Sequence, residues 1–251
     1  MVSKMPNIVV LVKRVPDTNA RIVVSGDRVD LSAVKWVISP YDEFAIETAL
    51  QHKEAAGGSV TAVTLGPAEA DKVLKDAKAI GVDEIVRVWD DSWGELDSNA
   101  IQTALSNAVT ELGAEVVYCG KTAADTGAGS TGPGVAEKLG WASVSNIINA
   151  DFSSGITVHS PSEKGTAIIS VSGNAVITCD KGSVKVRKPN VKGIMMAKRA
   201  QVNLMSVSAP TSTIQIVNQT PPPAKPEGKK YSGGNSAEEV AKLLRDEANV
   251  I

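Results

Sequence analysis

The residues best suited to bind a ligand form a glycine-rich segment near the middle of the chain, residues 119–133, which reads CGKTAADTGAGSTGP. It follows an apolar run at 115–119 and precedes a helical pattern at 135–139. A loop between a strand and a helix exposes free N–H groups and the positive end of the helix dipole, and both attract phosphate. The glycines at 127, 129 and 132 would let the backbone approach a ligand closely. The segment predicts a nucleotide-phosphate site, and an ordinary strand-to-helix turn is the alternative.

Two charged side chains in this segment each allow two interpretations. Asp125 could accept hydrogen bonds from ribose hydroxyls or loop amides, or it could fix the loop as an Asx turn. Lys121 could neutralise a phosphate or stay solvated. Both residues are therefore kept as candidates for a nucleotide site.

Three further loops are expected at the same edge of the molecule, because ligands of open α/β sheets bind beyond the carboxyl ends of the strands. They follow Val12, surround Ser39, and follow the run at 60–65. Each loop alone is equally typical of a plain turn. Their convergence with the glycine-rich segment favours a binding site.

Alternating apolar runs and amphipathic segments predict the fold. A parallel sheet with helices on both faces is indicated, because helices separate the strands and right-handed crossovers join them. Ser39 is predicted to cap the first helix, with Pro40 in its first turn. The expected class is α/β: a doubly wound, mainly parallel, Rossmann-like sheet of the adenine-nucleotide-binding type, with added antiparallel strands and an extended C-terminal arm. The predicted strands are 8–12, 60–65, 85–88 and 116–119, with a hairpin over 21–31.

Beyond Trp141 the pattern changes to short strand-like runs up to Cys179, which either extend the sheet or form antiparallel edge strands. A basic stretch follows at 185–199 and is interpreted as a partner-docking loop. A proline-rich stretch at 221–228 then leads to a helical pattern at 236–248. Two units are expected: an α/β nucleotide-binding domain, 1–218, and an arm, 219–251, that contacts a partner subunit. An arm that packs back on its own domain is the alternative.

Composition limits the functional classes. With 251 residues, 43% hydrophobic content and a net charge of −2, the chain is globular and shows no electrostatic signature for nucleic acid. No apolar run reaches membrane-spanning length, so direct membrane insertion is not expected. Two cysteines without metal-ligand spacing favour a reducing compartment, and a cytoplasmic location is predicted. His52 and His159 are isolated, so no catalytic residue and no metal site are assigned.

Six segments, taken in their order along the chain, carry a family resemblance. The chain resembles the beta (small) subunit of electron-transfer flavoproteins over nearly its whole length. The string Gly-Ile-Met-Met-Ala-Lys-Arg at 193–199 is the most specific of the matching pieces. The six segments are 12–17, 39–47, 63–67, 79–83, 120–134 and 192–199.

This resemblance implies a function in electron transfer. Such beta subunits pair with an alpha subunit that holds most of a shared FAD, and they bury a nucleotide, usually AMP, in a structural role. The flavin collects electrons from acyl-CoA and related dehydrogenases and passes them on, commonly to a quinone-linked oxidoreductase. The chain is therefore expected to be an electron-carrier subunit more than an enzyme in its own right.

The resemblance also implies positions for the contacts. Val191 stands at the place of an apolar anchor that inserts into partner dehydrogenases, with Ile194 and Met195 as support. The residues expected at the cofactor site are Val12, Ser39, Thr64, Leu65, Gly66, Cys119, Gly120, Lys121, Asp125, Thr126, Gly127, Ala128, Gly129, Ser130 and Thr131.

Two other functions are kept open. Some members of the family bind a second FAD in place of AMP and bifurcate electrons from NADH, and the loop at 125–133 departs from both patterns. A stand-alone nucleotide-binding regulatory protein of the stress-protein type would share the sheet topology. That class needs neither the basic docking segment nor the proline-rich arm.

Overall fold

The fold is that of a computed structural model, which describes residues 5–182, 184–208, 210–225 and 227–251. Pro226 of the predicted arm, Ser183, Ala209 and residues 1–4 lie outside the described residues. Six α-helices occur in the described part: α1 (Pro40–Ala56), α2 (Asp71–Ile80), α3 (Ser98–Glu111), α4 (Thr131–Leu139), α5 (Val191–Arg199) and α6 (Ala237–Asp246). The strands described are β1 (Asn7–Leu11), β2 (Arg14–Pro16), β3 (Val23–Ser25), β4 (Arg28–Asp30), β5 (Trp36–Ile38), β6 (Ser59–Leu65), β7 (Glu84–Val88), β8 (Val116–Gly120), β9 (Ala142–Ile147), β10 (Asn149–Asp151), β11 (Ile156–Ser162), β12 (Gly165–Val171), β13 (Ala175–Cys179) and β14 (Asn203–Met205).

The central sheet has seven strands in the order β14-β7-β6-β1-β8-β13-β9, and every neighbouring pair is parallel. The chain moves from β1 outward through β6 and β7, then returns to place β8 on the other side of β1. The order therefore reverses between β1 and β8, which is the topological switch point where ligands of such sheets bind. The predicted doubly wound α/β class is confirmed.

Both alternatives for the region beyond Trp141 occur. Strands β9 and β13 extend the central sheet in parallel, whereas β10, β11 and β12 form a separate antiparallel sheet. The predicted hairpin over 21–31 is present as β3 and β4.

Helices cover both faces of the sheet, because successive side chains of a strand point to opposite faces. On β1, Ile8 and Val10 pack into the core that contains α1 and α2, and Val9 and Leu11 pack into the core that contains α3 and α4. Full burial of one such side chain stabilises the fold by roughly 1.5–3 kcal/mol. The two-residue period of the strand therefore places its side chains in two separate hydrophobic cores, one on each face of the sheet.

The basic stretch at 185–199, predicted as a loop, is mostly helix α5. The side chain of Asn190 accepts a hydrogen bond from the amide of Gly193 at 2.8 Å and so caps this helix. A Cβ atom at Gly193 would lie 2.4 Å from the carbonyl oxygen of Ala79, so glycine permits close packing of α5 against the end of α2. The loop prediction was wrong because a helix this short draws its stability from the cap and the packing.

Arg187 links the segment that precedes α5 to helix α1. Its guanidinium donates to both carboxylate oxygens of Glu47, at 2.7 and 2.9 Å, and to Glu54 at 2.6 Å. Glu47 is almost fully buried, and hydrogen bonds from Arg187 hold the pKa of that carboxyl below its usual value against the opposing effect of burial. One cation of the basic stretch is thus used inside the fold.

The C-terminal arm ends in helix α6, as the sequence predicts, and no residue of α6 is buried. The described residues between β14 and residue 233 form neither helix nor strand. Among the described helices, none combines the length and the apolar character that crossing a bilayer requires.

Candidate functional site

An open cleft lies at the switch point, between the carboxyl ends of β1 and β8, the start of α3 and the glycine-rich loop. It contains about 900 Å³ of empty space, part of it continuous with solvent. Ligands of open α/β sheets bind at such a switch point, so this cleft is the candidate ligand site. The walls are formed by Leu11, Val12, Lys13, Asp42, Val63, Leu65, Ser98, Ile101, Leu105, Cys119, Gly120, Lys121, Thr122, Ala123, Thr126, Ala128, Gly129 and Thr131.

Most of the predicted cofactor-site residues converge on this cleft. Thr64 is buried in β6 beside it, and Asp125 reaches it through an ion pair with Lys13. The predicted residues outside the walls are Ser39, Thr64, Gly66, Asp125, Gly127 and Ser130. Those that line it are Val12, Leu65, Cys119, Gly120, Lys121, Thr126, Ala128, Gly129 and Thr131.

The glycine-rich loop offers a row of free amides at the start of α4. In the described part of the chain, no acceptor is hydrogen-bonded to the backbone N–H groups of residues 128–132. Gly127 and Gly129 both have φ of +65°, a left-handed conformation that favours glycine. The side chain of Gln102 holds the loop by donating to the carbonyl oxygen of Ser130 at 3.1 Å. These amides and the helix dipole can bind an anionic group.

Gly132 also has a packing role that the sequence did not predict. A Cβ atom there would lie 2.5 Å from Cγ2 of Thr178 and 2.9 Å from Sγ of Cys119. Glycine at this position lets the first turn of α4 pack directly on β8 and β13. Its contribution is to the packing that positions the loop.

Asp42 is a cleft residue that the sequence analysis missed. Its carboxylate accepts hydrogen bonds from the backbone N–H of Lys13 at 2.7 Å and of Gly120 at 2.9 Å. It therefore joins the ends of the two strands that flank the switch point. Burial raises the pKa of Asp42 to about 7, against the lowering effect of those hydrogen bonds and of the Lys13 charge.

The signal for Asp42 was ambiguous in the sequence. An acid in the first turn of a helix is explained by the helix dipole alone, and its partners lie 29 and 78 residues away. A first-turn acid two residues after Pro40, ahead of a buried helix face, was the available clue.

Ser39 does not cap α1 as predicted. Its side chain makes no capping hydrogen bond, and its residue is fully buried. Among the described residues, the side-chain oxygens that are buried without a hydrogen-bond partner are Ser39 Oγ and Thr122 Oγ1. Such an orphan hydroxyl costs free energy, so these two atoms are available to a bound ligand or to water.

The two lysines at the cleft are paired with carboxylates. Lys13 Nζ lies 2.8 Å from Asp125 Oδ1, and Lys121 Nζ lies 2.8 Å from Asp180 Oδ2. The hydrogen bond that Lys121 donates to Asp180 raises the pKa of Lys121, whose Nζ atom also lies 4.9 Å from the ring centre of Tyr41. Because both cations are partly neutralised, the free loop amides are the main attraction for an anion.

The chemistry of the cleft is suited to binding. Burial raises the pKa of Cys119 well above its ordinary value, so this thiol stays protonated and is a poor nucleophile. His52 is buried beneath the sheet, 3.1 Å from the hydroxyl of Tyr118 and stacked on Phe152. Within the described ranges, no group of three or more His, Cys, Asp or Glu residues is placed to hold a metal ion.

The predicted docking residues lie together on α5. Val191 is 76% exposed, and Ile194, Met195 and Met196 are exposed as well. The helical spacing brings Val191 and Met195 onto one face.

Comparison with known proteins gives one consistent family. A family model described as "Electron transfer flavoprotein domain" matches residues 28–210. The electron transfer flavoprotein subunit beta of Bacillus subtilis (strain 168) is 31% identical over 98% of this chain and all of its own length. That of Mycobacterium tuberculosis (strain H37Rv) is 34% identical over 92% of this chain and 96% of its own. Protein FixA of Sinorhizobium fredii is 31% identical over 78% of this chain and 72% of its own.

Proposed function

This chain belongs to the electron transfer flavoprotein family as a subunit of the beta type, and from that premise we propose that it binds AMP structurally and helps pass electrons through an FAD shared with an alpha subunit. The family membership predicted from the six sequence segments is confirmed by the comparisons. The observation that carries the proposal is the row of free amides beside the cleft at the switch point.

The cleft residues fit AMP. The free amides of residues 128–132, at the dipole end of α4, would hold the phosphate, with Thr131 adding a hydroxyl. The orphan hydroxyl of Thr122, which lines the cleft, supplies a further hydrogen-bonding group, whereas the buried hydroxyl of Ser39 lies outside the walls. Val12, Leu65 and neighbouring apolar residues would cover the base. The carboxylate of Asp125 would either accept a hydrogen bond from a ribose hydroxyl or keep its ion pair with Lys13.

The redox chemistry would come from the flavin, which accepts and releases electrons when bound. This chain's part is to complete the flavin site at the subunit boundary and to keep the heterodimer assembled. The predicted arm, 219–251, is proposed to reach the alpha subunit, since α6 has no buried residue of its own.

Docking to acyl-CoA or related dehydrogenases is proposed for α5, with Val191 as the anchor and Ile194 and Met195 beside it. The stretch 185–199 supports this, because besides Arg187, which pairs with Glu47 and Glu54, it carries five Lys or Arg residues and no Asp or Glu, whereas the whole chain has a net charge of −2. A concentrated positive surface around an apolar centre suits a pocket with an acidic rim. Delivery to a quinone-linked oxidoreductase and a cytoplasmic location belong to the same proposal.

Co-expression with the alpha subunit and reduction of the bound flavin test the proposal. We expect a soluble heterodimer whose flavin is bleached by an acyl-CoA substrate in the presence of a catalytic amount of an acyl-CoA dehydrogenase. Rapid bleaching by NADH alone would instead support the bifurcating alternative with a second FAD. A monomer that binds ATP and does not associate with the alpha subunit would support the stand-alone regulatory protein.

A further inference from the structure

The segment that leads into the C-terminal arm, residues 212–219, is fixed to the body of the protein. We call this segment the arm root. It runs from the loop before α3 to the β3–β4 hairpin, and its contacts are made by both backbone and polar side-chain atoms. The contacts cluster at two places, one at each end of the segment.

Asp97 makes the first group of contacts. Its Oδ2 atom accepts from the backbone N–H of Thr213 at 2.6 Å, the N–H of Ile214 at 3.0 Å and the hydroxyl of Thr213 at 3.1 Å. Its Oδ1 atom accepts from the N–H of Ala100 at 2.8 Å and so caps α3. The hydroxyl of Ser212 accepts from the N–H of Asp97 and donates to the carbonyl oxygen of Glu95. One carboxylate thus serves the helix and the arm root at once.

The hairpin makes the second group. Arg28 donates to the carbonyl oxygen of Ile216 at 2.7 Å. Gln219 donates its backbone N–H to the carbonyl oxygen of Asp27, and its side chain accepts from the N–H of Val29, both at 3.0 Å. Beyond Gln219, no hydrogen bond or ion pair of the described residues joins the arm to the body.

The arm root also keeps its apolar side chains exposed. Ile214 and Ile216 are exposed, and Val217 is 85% exposed. A segment whose backbone is bonded to the body while its apolar side chains stay in solvent is a prepared surface for another protein. Ile22 and Val23, at the start of the β3–β4 hairpin, are exposed as well.

We propose that Asp97 is a positioning residue that holds the arm root in place and thereby sets the direction in which the arm leaves the body toward the alpha subunit. The inference rests on the proposed function, in which the arm contacts that subunit. A tethered root presents the arm already oriented, whereas a free root would have to be ordered at the cost of chain entropy when the subunits meet.

The protonation state of Asp97 agrees with this role. Hydrogen bonds from the backbone amides of Ala100 and Thr213 lower the pKa of Asp97 to about 2. The carboxylate therefore stays ionised, as an acceptor of several hydrogen bonds must, throughout the physiological range.

The substitution Asp97→Ser separates the two tasks of this side chain. Serine is a good N-cap and can still accept from Ala100, but its single short oxygen cannot also reach Thr213 and Ile214. Hydrogen exchange of the full-length chain should show protected amides at 213 and 214 in the wild type and at least about tenfold faster exchange there in the variant.

We expect the thermal midpoint of the variant to stay within a few degrees of the wild-type value, and its dissociation constant for the alpha subunit to rise about fivefold to tenfold. Asp91→Ser, which removes a nearby exposed carboxylate, is the control and should change none of these.

Two results would overturn the proposal: amides 213 and 214 that exchange freely in the wild type, or a variant with a loosened arm root and wild-type affinity. Removal of residues 220–251 separates this failure from that of the proposed function. If the truncated chain binds the alpha subunit as tightly as the full chain, the assignment of the arm itself is wrong. If truncation weakens binding and Asp97→Ser does not, only the role of Asp97 fails.

Discussion

At the scale of single residues, Asp42 determines how the two strand ends at the switch point are held. Its carboxylate satisfies the N–H groups of Lys13 and Gly120, which would otherwise be left without an acceptor at the cleft. A buried donor that loses its acceptor costs about 1–3 kcal/mol. The geometry of the cleft therefore depends on a side chain that touches backbone from two different strands.

Replacement of Asp42 by alanine should destabilise the protein by about 2 kcal/mol or more, because two amides lose their acceptor. Urea unfolding at pH 7 measures this change. Glu43→Ala is the matched control, since it removes the neighbouring acid of the same helical turn and should stay within about 0.5 kcal/mol of the wild type. An equal decrease in the free energy of unfolding of the two variants would show that Asp42 stabilises the protein only through the helix dipole.

The buried His52 should make the free energy of unfolding depend on pH. Burial lowers the pKa of His52 from 6.5 to about 4. Between these two pH values the unfolded chain binds a proton at His52 that the folded chain does not bind, so stability is full above pH 6.5 and is lost as the pH falls toward 4. Asp42 acts in the opposite sense, because its pKa is raised to about 7 and its contribution to stability falls as the pH rises toward that value.

The opposing effects make a comparison with His52→Gln necessary. The free energy of unfolding of the wild type minus that of His52→Gln should fall by up to roughly 3 kcal/mol between pH 7 and pH 4. The Asp42 contribution cancels in this difference. A difference that stays constant with pH would mean that His52 titrates normally in the folded protein.

At the scale of secondary-structure elements, helix α1 lies against the end of β8 because position 120 is glycine. A Cβ atom there would lie 2.4 Å from Oδ1 of Asp42 and 2.8 Å from Cβ of Tyr41. Gly120→Ala should therefore destabilise the protein by about 1–3 kcal/mol, as overpacking does. Gly94→Ala adds the same methyl group in open space and should be nearly neutral in the same thermal unfolding experiment. A neutral effect at Gly120 would show that α1 can shift without cost.

Helix α5 is the proposed docking element, and Val191→Asp tests it. Val191 is exposed, so the folding stability should be unchanged, while a charge at the apolar centre should raise the KM for the heterodimer as electron acceptor of the dehydrogenase by about tenfold or more. Ile168→Asp is the control, because Ile168 is similarly exposed, at 69%, but lies on β12. Equal effects of the two substitutions would place the dehydrogenase elsewhere.

The elements also show what could be predicted from the sequence. The apolar run of Ile8, Val9, Val10 and Leu11 is local, and it was sufficient to predict a strand of a parallel sheet with helices on both faces. Helix α5 was missed because its cap is a single Asn190 contact and its stability depends on packing against α2. The bridging role of Asp42 is a long-range contact, and no local pattern encodes which distant amides a buried carboxylate will meet.

At the scale of the whole molecule, three tasks are separated in space. The cleft lies at the carboxyl edge of the sheet, the positive and apolar surface lies on α5, and the arm leaves the body beside the β3–β4 hairpin. This separation suits a subunit that assembles with one protein and docks transiently with others. It also means that changes on α5 should leave assembly intact, and changes in the arm should leave the cleft intact.

The nucleotide content of the purified heterodimer tests the central claim most directly. After denaturation and chromatographic separation, we predict one FAD and one AMP per heterodimer, with the AMP lost in Asp42→Ala and retained in Glu43→Ala. Two FAD molecules and no AMP would contradict the assignment of the cleft to AMP. A heterodimer with one FAD and no other nucleotide would contradict the claim that the free amides of the glycine-rich loop form a nucleotide site.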